Sequence, residues 1–364
     1  MKRFLILFFM AAFTVVTVFA QAELQPVAIV RLTRSEPITV RQLRAELEKL
    51  AWQELVMRMR RIPTSAEVSR TALSSTIEQR RQVLDVMINE RLALQAAERD
   101  KVNFTDNELN QHIQQLRAQM AQGIGRTPTE EEFAAAVRNE TGQDFPAFRE
   151  TIRRQAIVQR YLRTKKESHF TNMQAPTAAE VVNFYNLSRA DFVRPDTVRF
   201  SMILIPYGPD AASRASARTL ADSLVREIGT NPANFDAVVL RSRTPGSGFQ
   251  GGDGGFLPRN MQAQQMTGAA FMETAFGLQQ GQVSGLIEGP QAYHIIKITE
   301  TYVQANLGLD DIFDLGTRET VRQFITRNLM QQREEEVIAQ ATQELITELR
   351  AGNPFQIMEN NLNW

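Results

Sequence analysis

Between residues 242 and 256 the sequence reads S-R-T-P-G-S-G-F-Q-G-G-D-G-G-F, six glycines and one proline in fifteen positions. Glycine loses more backbone entropy on ordering than any other residue and proline lacks a donor, so this stretch is expected to be an irregular loop held by its surroundings. Those surroundings are two runs of another kind. V198-R-F-S-M-I-L-I205 and A292-Y-H-I-I-K-I-T-E300 are rich in β-branched and aromatic residues, and turn formers bound them at Pro206 to Pro209 and at Gly289-Pro290. Both read as strands. Helical patterns fill the space between, so residues 195–302 are expected to form a small sheet whose strands are joined through helices and one glycine-rich loop.

The flanking sequence is helical. A short β-branched run from Pro26 to Leu32 reads as a strand, and Thr39 then opens a helix with T39-x-x-Q42. In this capping box the hydroxyl takes an orphan amide of the first turn and the side chain three residues on reaches back. The device recurs at T64-x-x-E67, T105-x-x-E108, T129-x-x-E132 and T177-x-x-E180, so a helix array is expected. Its strongest member surrounds V83-L-D-V-M-I-N-E-R-L-A-L94, where Val83, Leu84, Met87, Ile88 and Leu92 make one apolar stripe. The expected partners of that stripe are the helix led by Thr105 (Leu109, Ile113, Leu116) and the helix led by Phe148 (Ile152, Ile157, Tyr161, Leu162). A short helix with Val181, Val182, Phe184 and Tyr185 follows Pro176, and Pro195 stops the chain before the sheet. Beyond Tyr302 the pattern returns to helix. Val321, Phe324, Ile325, Val337, Ala341, Leu345 and Leu349 form its stripe, with Gly352-Asn353-Pro354 as a stop signal. Such a helix needs a partner, and the amino-terminal array is the expected one.

Composition narrows the chemistry. The 364 residues contain 41 Lys+Arg and 41 Asp+Glu, a balance that gives no reason to expect nucleic acid. With no cysteine there is no disulfide, thiolate nucleophile or cysteine metal site, and His112, His169 and His294 are too scattered in sequence to suggest a histidine metal site. Residues 1–20 join two cations, an apolar run and V18-F-A20, the pattern of a cleavable secretory signal, with an uncleaved membrane anchor as the second reading because the run is about the minimum length for a span. Its removal takes Lys2 and Arg3 and no acid, leaving 39 cations against 41 acids. The mature chain is then expected outside the cytoplasm, with no integral membrane span.

The order strand, helix, Pro245-Gly246-Ser247, G251-G-D-G-G-F256, F271-M-E-T-A-F-G-L278, G281-Q-V-S-G285 and Y293-H-I-I296 resembles a parvulin-type peptidyl-prolyl isomerase domain. The whole layout of signal, helices, parvulin-like domain and returning helix resembles SurA-type periplasmic chaperones and, at a greater distance, PrsA foldases. The resemblance implies an α+β protein. Its helical chaperone domain comprises residues 21–194 and the helix of 303–364, and an inserted parvulin-like domain of a small antiparallel sheet flanked by helices occupies 195–302. SurA-type chains carry two parvulin domains, whereas one is found here.

The resemblance also places a site. Isomerising an Xaa-Pro bond needs no nucleophile and no cofactor, because the barrier is amide resonance, roughly 20 kcal/mol, and it falls when the amide is twisted and desolvated. Phe271 and Phe276 fall on the family's proline cup, Met261 and Met266 both qualify for the methionine that precedes it, and His294 falls on the histidine of the last strand. Met202 stands where the first strand usually has histidine, Thr244 where the residue before P-G-S is usually aspartate or cysteine, and Gly254 where leucine usually follows G-G-D. Phe276 has a second reading as plain core. His294 has one too, as a structural histidine bound to a backbone group or to Thr244. Three functions follow: a periplasmic prolyl isomerase, a chaperone whose parvulin-like domain only clamps peptide, and an envelope scaffold. The expected partners are unfolded or extended, proline-containing polypeptides, held without ATP, since no phosphate-binding glycine loop is present.

Overall fold

The computed structural model describes residues 23–229 and 231–364, so the expected signal peptide lies outside the described residues. Two compact units are present. One runs to Met173 and resumes at Glu334–Trp364; the other is Gln174–Arg333.

The first unit begins with strands β1 (Pro26–Val30) and β2 (Glu36–Thr39), paired antiparallel. Helices α1 (Val40–Met59), α2 (Ser65–Leu73), α3 (Ile77–Arg99), α4 (Asp106–Ile124), α5 (Glu130–Thr141), α6 (Phe145–Lys165) and α7 (Glu167–Thr171) follow. The capping boxes led by Thr39, Thr64, Thr105 and Thr129 are all formed. A further one, Thr76 with Gln79, opens α3 and has the same spacing. On α3, Leu84, Ile88 and Leu92 are fully buried, with Val83 and Met87 packed beside them.

The partners of that stripe differ from expectation in one respect. Ile157, Tyr161 and Leu162 of α6 do join it, but Leu109, Ile113 and Leu116 of α4, and with them Ile152 of α6, pack in a separate cluster with Phe133, Val137, Phe145 and Phe148. The first turns of α6 carry Phe145, Phe148 and Ile152, and with Phe133 and Val137 of α5 they form a second apolar cluster that takes the α4 stripe. Gly142 ends α5 at φ +71°, and a Cβ there would meet the Trp52 ring at 2.7 Å. The ring is fixed by its Nε1–H, which donates to the Asn139 carbonyl at 3.2 Å.

The second unit opens with α8 (Ala178–Leu187), whose Thr177–Glu180 capping box is formed, and the short strand β3 (Val193–Arg194). Then come β4 (Thr197–Pro206), α9 (Ala211–Ile228), α10 (Pro232–Arg241), β5 (Gln250–Pro258), α11 (Met261–Thr267), α12 (Ala269–Gly277), β6 (Ile287–Glu288) and β7 (Ala292–Tyr302). The main sheet is antiparallel in the order β5-β4-β7-β6. Its strand β5 overturns the expectation of a wholly irregular glycine-rich loop, because Gln250–Pro258 pairs with β4 along its length. The glycines serve close approach: a Cβ on Gly251 would stand 3.1 Å from the Val239 Cα, and one on Gly254 only 2.2 Å from the Phe200 ring. Only the turn before Gln250, with Gly246 and Gly248 at positive φ, stays outside regular structure.

The segment after Tyr302 also departs from a simple helix. Residues 305–320 form the short strands β8 (Ala305–Asn306), β9 (Ile312–Asp314) and β10 (Glu319–Thr320), and the helix α13 spans Val321–Arg350. Its stripe is divided. Val321 and Ile325 bury with Val181, Phe192 and Leu307 in the second unit, whereas Ala341, Leu345 and Leu349 bury in the core of the first. Aromatic residues decide the first half: Phe192, Phe313 and Phe324 meet ring to ring at 5.7, 6.2 and 4.6 Å. In the first unit Lys166 reaches Glu348 at 2.6 Å and His169 reaches Glu344 at 3.0 Å, tying the end of the helix to α6 and α7. A last strand, β11 (Phe355–Ile357), pairs with β1 and closes that unit's sheet.

Two tests follow from these contacts. Gly142→Ala adds a Cβ into the Trp52 ring at a left-handed backbone position, so it should destabilise the first unit by about 1–3 kcal/mol. Chemical denaturation followed by tryptophan fluorescence measures this, and an unchanged midpoint would refute it. Glu67, Glu108 and Glu132 are each lowered to about 2, chiefly by hydrogen bonds from Arg61, Arg160 and Arg126 and then by the cap threonines. Folding favours their ionised form, so this contribution is complete above the unfolded value of about 4.3 and is lost as pH falls towards about 2. Thermal midpoints should therefore fall through that window, and less steeply in the triple Glu→Gln variant; parallel curves would contradict the assignment.

Candidate functional site

The β4–β7 ladder has two faces, because successive side chains of a strand alternate. On one face Ile203, Ile205, Tyr293 and Ile295 pack under α9 and α10 through Ala221, Leu224, Phe235 and Val238. On the other, Val198, Phe200, Ile296 and Ile298 pack under α12 through Phe271, Met272 and Ala275. The second face also carries Met202, opposite Ile296, and His294, opposite Leu204.

The structure thus brings Met202, Phe271, Phe276 and His294 to one side of the sheet. Phe271 is 4% exposed and stands edge-on to two rings, Phe200 at 5.4 Å and His294 at 5.5 Å. Met202, Phe276 and His294 are half-buried, an apolar surface that is neither core nor open. Phe276 packs at the rim of this cluster, with the Arg259 guanidinium 5.3 Å above its ring. Met261 and Met266 are 77% and 78% exposed on α11 and do not enter the cluster.

Thr244 lies elsewhere. It is exposed in the turn after α10, with its amide donating to the Arg241 carbonyl at 3.0 Å and its own carbonyl accepting from Ser247 at 3.2 Å. The helix before it packs on the opposite face. His294 therefore lacks the polar partner considered in the sequence: its Nδ1 is buried with no hydrogen-bond partner among the described residues. Burial lowers its pKa, because an uncharged imidazole is easier to desolvate than a charged one. Gly289 lets the backbone pass close, since a Cβ there would stand 2.8 Å from Nε2.

The motif residues around the cluster do structural duties. Asp253 accepts from the Gly255 amide at 3.0 Å and from Arg199 at 2.7 Å, while Arg199 also reaches Glu300 at 2.9 Å. One guanidinium thus links β5, β4 and β7. It holds the Asp253 carboxyl below its ordinary value, and it does the same for Glu300 after the larger effect of the Tyr302 hydroxyl. Ser284 is buried, and its hydroxyl accepts from the Ile296 amide at 2.9 Å, strapping the G281-Q-V-S-G285 segment along β7. Sequence reasoning passed over Phe200, although its even register with Met202 in V198-R-F-S-M-I-L-I205 was visible.

The first unit has a groove of its own. A cavity of about 660 Å³ between α1, α2 and α3 is lined by Leu47, Leu50, Ala51 and Val83, with Glu54, Arg58 and Arg70 among its polar residues. Leu50, Met57, Leu73 and Ile77 are exposed on the same three helices.

Comparison with known proteins places two family models on the chain. Residues 185–302 match the family model of the PPIC-type PPIASE domain, and residues 50–162 match that of the SurA N-terminal domain. The chain is SurA-like, with a parvulin-type domain. Chaperone SurA of Nitrosococcus oceani is 28% identical over 68% of this chain and 54% of its own length. Chaperone SurA of Chromohalobacter salexigens is 25% identical over 83% of this chain and 63% of its own. The chain thus spans little more than half the length of these curated relatives. A solved structure from work on two SurA-like chaperones of Campylobacter jejuni is 12% identical, covers 92% of this chain and 100% of its own, and has a TM-score of 0.35. Among the described residues of the SurA-like chain, no helix is long and apolar enough to cross a membrane.

The cluster around His294 yields one titration test. Burial holds the folded pKa of His294 below the ordinary value of about 6.5, so stability is complete above that value and declines as pH falls below it. His294→Phe should flatten that decline in the second unit, followed by amide exchange of β7 between about pH 7.5 and 5. A decline unaltered by the substitution would show that another group carries it.

Proposed function

We propose that this chain is a periplasmic folding factor: it holds unfolded secreted or outer-membrane polypeptides and accelerates Xaa-Pro isomerisation slowly at the parvulin-type domain of residues 195–302. The observation that carries the reading is the half-buried apolar face of Met202 and Phe276 around Phe271 and His294. An apolar face of this kind takes a prolyl ring and strips water from the amide, which weakens the resonance barrier. Slow turnover is expected because Met202 neither donates nor accepts strongly and Thr244 stands apart in the turn after α10. The client-holding part of the reading is supported by the α1–α2–α3 groove and its exposed apolar residues, since adaptable apolar contacts suit many sequences. The matched SurA N-terminal domain includes most of that groove.

The test measures cis/trans exchange in a proline-containing peptide by exchange spectroscopy, with and without the protein. Exchange should quicken modestly. Met202→His, which puts a ring nitrogen on the same face as His294, should raise the acceleration further. A peptide that binds but exchanges at its uncatalysed rate leaves a clamp without catalysis. For client holding, the chain should slow aggregation of an unfolded outer-membrane protein at equimolar ratio without ATP, and Leu50→Glu with Met57→Glu should reduce this. Aggregation unaffected by the unsubstituted chain would end the chaperone reading.

A further inference from the structure

Phe200 occupies an unusual place in the sheet. The register of β4 against β5 shifts between Phe200 and Ser201, so that Phe200 faces Gly255, Ser201 faces Asp253, and Gly254 is left as the extra residue of a bulge. The register against β7 shifts one step earlier, between Arg199 and Phe200. Bulges bend a strand and re-aim its side chains. Here the bend is secured by Gly255 at φ +79° and by the Asp253 carboxylate accepting its amide. Into the room left by the missing side chain at Gly254 goes the ring of Phe200, three of whose carbons would lie 2.2–2.7 Å from a Cβ there. The same ring is buried, and it meets Phe271 edge-on at 5.4 Å and 71°, while Phe271 meets His294 at 5.5 Å and 88°. Three rings therefore run in series from the bulge to the half-buried face.

We propose that Phe200 is the positioning residue of the peptide site: its ring, admitted by the bare backbone at Gly254, sets the tilt of Phe271 against His294 and so the shape offered to a prolyl ring. This rests on the function reading above and gives it a particular mechanism. Phe271 has no hydrogen-bonding group to fix it, so its orientation depends on which rings border it. Edge-to-face pairs have a preferred geometry and a modest energy of their own, so an aliphatic side chain of similar volume fills the space without directing the ring. The bulge and the aromatic at 200 act as one unit, since either one without the other leaves a clash or a void.

The experiment uses the full chain and titrates a proline-containing tetrapeptide by nuclear magnetic resonance, alongside thermal melts. Phe200→Leu should stay folded yet bind the peptide roughly tenfold more weakly, in line with the loss of one aromatic pair. Phe200→Ala leaves a void and should also lower the thermal midpoint. Adding Gly254→Val to Phe200→Ala refills that space from the neighbouring strand, so the midpoint should recover while binding stays weak. If Phe200→Leu, or the refilled double variant, binds as the unsubstituted chain does, Phe200 is only packing and the proposal is overturned. If the unsubstituted chain itself binds no peptide, the function reading falls and this role falls with it.

Discussion

The ladder between β4 and β7 is the constraint on which the second unit depends. It pairs ten residues of β4, Thr197 to Pro206, with β7. Because a strand's side chains alternate, one such ladder fixes two cores at once: one under α9 and α10, and one under α12. A slip of one residue would send Ile203 and Ile205 to the wrong face and bring Arg199 and Ser201 under α12. Arg199 guards against that slip, since its bonds to Asp253 and Glu300 exist in one register only. Exposed ion pairs of this kind contribute little to stability on average, so the value of this one lies in specifying the alignment.

Much of the architecture was legible because the helices announce their starts. A threonine followed three residues later by Glu or Gln satisfies two orphan amides locally, whatever the helix later packs against, and so the signal survives any tertiary context. The strands β4 and β7 were legible for a similar reason: their β-branched and aromatic residues suit a pleated surface. What could not be read was choice among partners. The α4 stripe fits several apolar faces by composition, and in the fold it buries with residues of α5 and of the first turns of α6 rather than with α3. The helix α13 has one continuous stripe in sequence, yet Phe192 and Phe313 claim its first turns, and neither aromatic residue lies in the helix itself.

The glycine-rich segment was misread on the same ground. Glycine density argues against regular structure when the backbone stands alone, since each residue loses much entropy on ordering. In β5 the glycines are there because neighbours come too near for a side chain: Val239 at Gly251 and Phe200 at Gly254. A sequence shows that a side chain is missing and is silent on what fills the space. Strand propensity measures packing against neighbours, so a strand lacking side chains still forms where the neighbours supply the packing.

The site itself was half legible. Motif order located Phe271, Phe276 and His294, and the fold puts them on one face with Met202. Thr244 shows where motif order stops, because a position in a loop says nothing of which face the loop serves. The consequence is chemical. A histidine with a buried, unpartnered Nδ1 is costly to charge and contributes a neutral ring to an aromatic surface. Substitution of methionine for the first-strand histidine is consistent with that: beside a neutral ring, a thioether adds apolar contact and removes a second polar group that would itself need a partner. Met202 and His294 thus give this face of the sheet apolar contact and ring shape in place of paired polar groups.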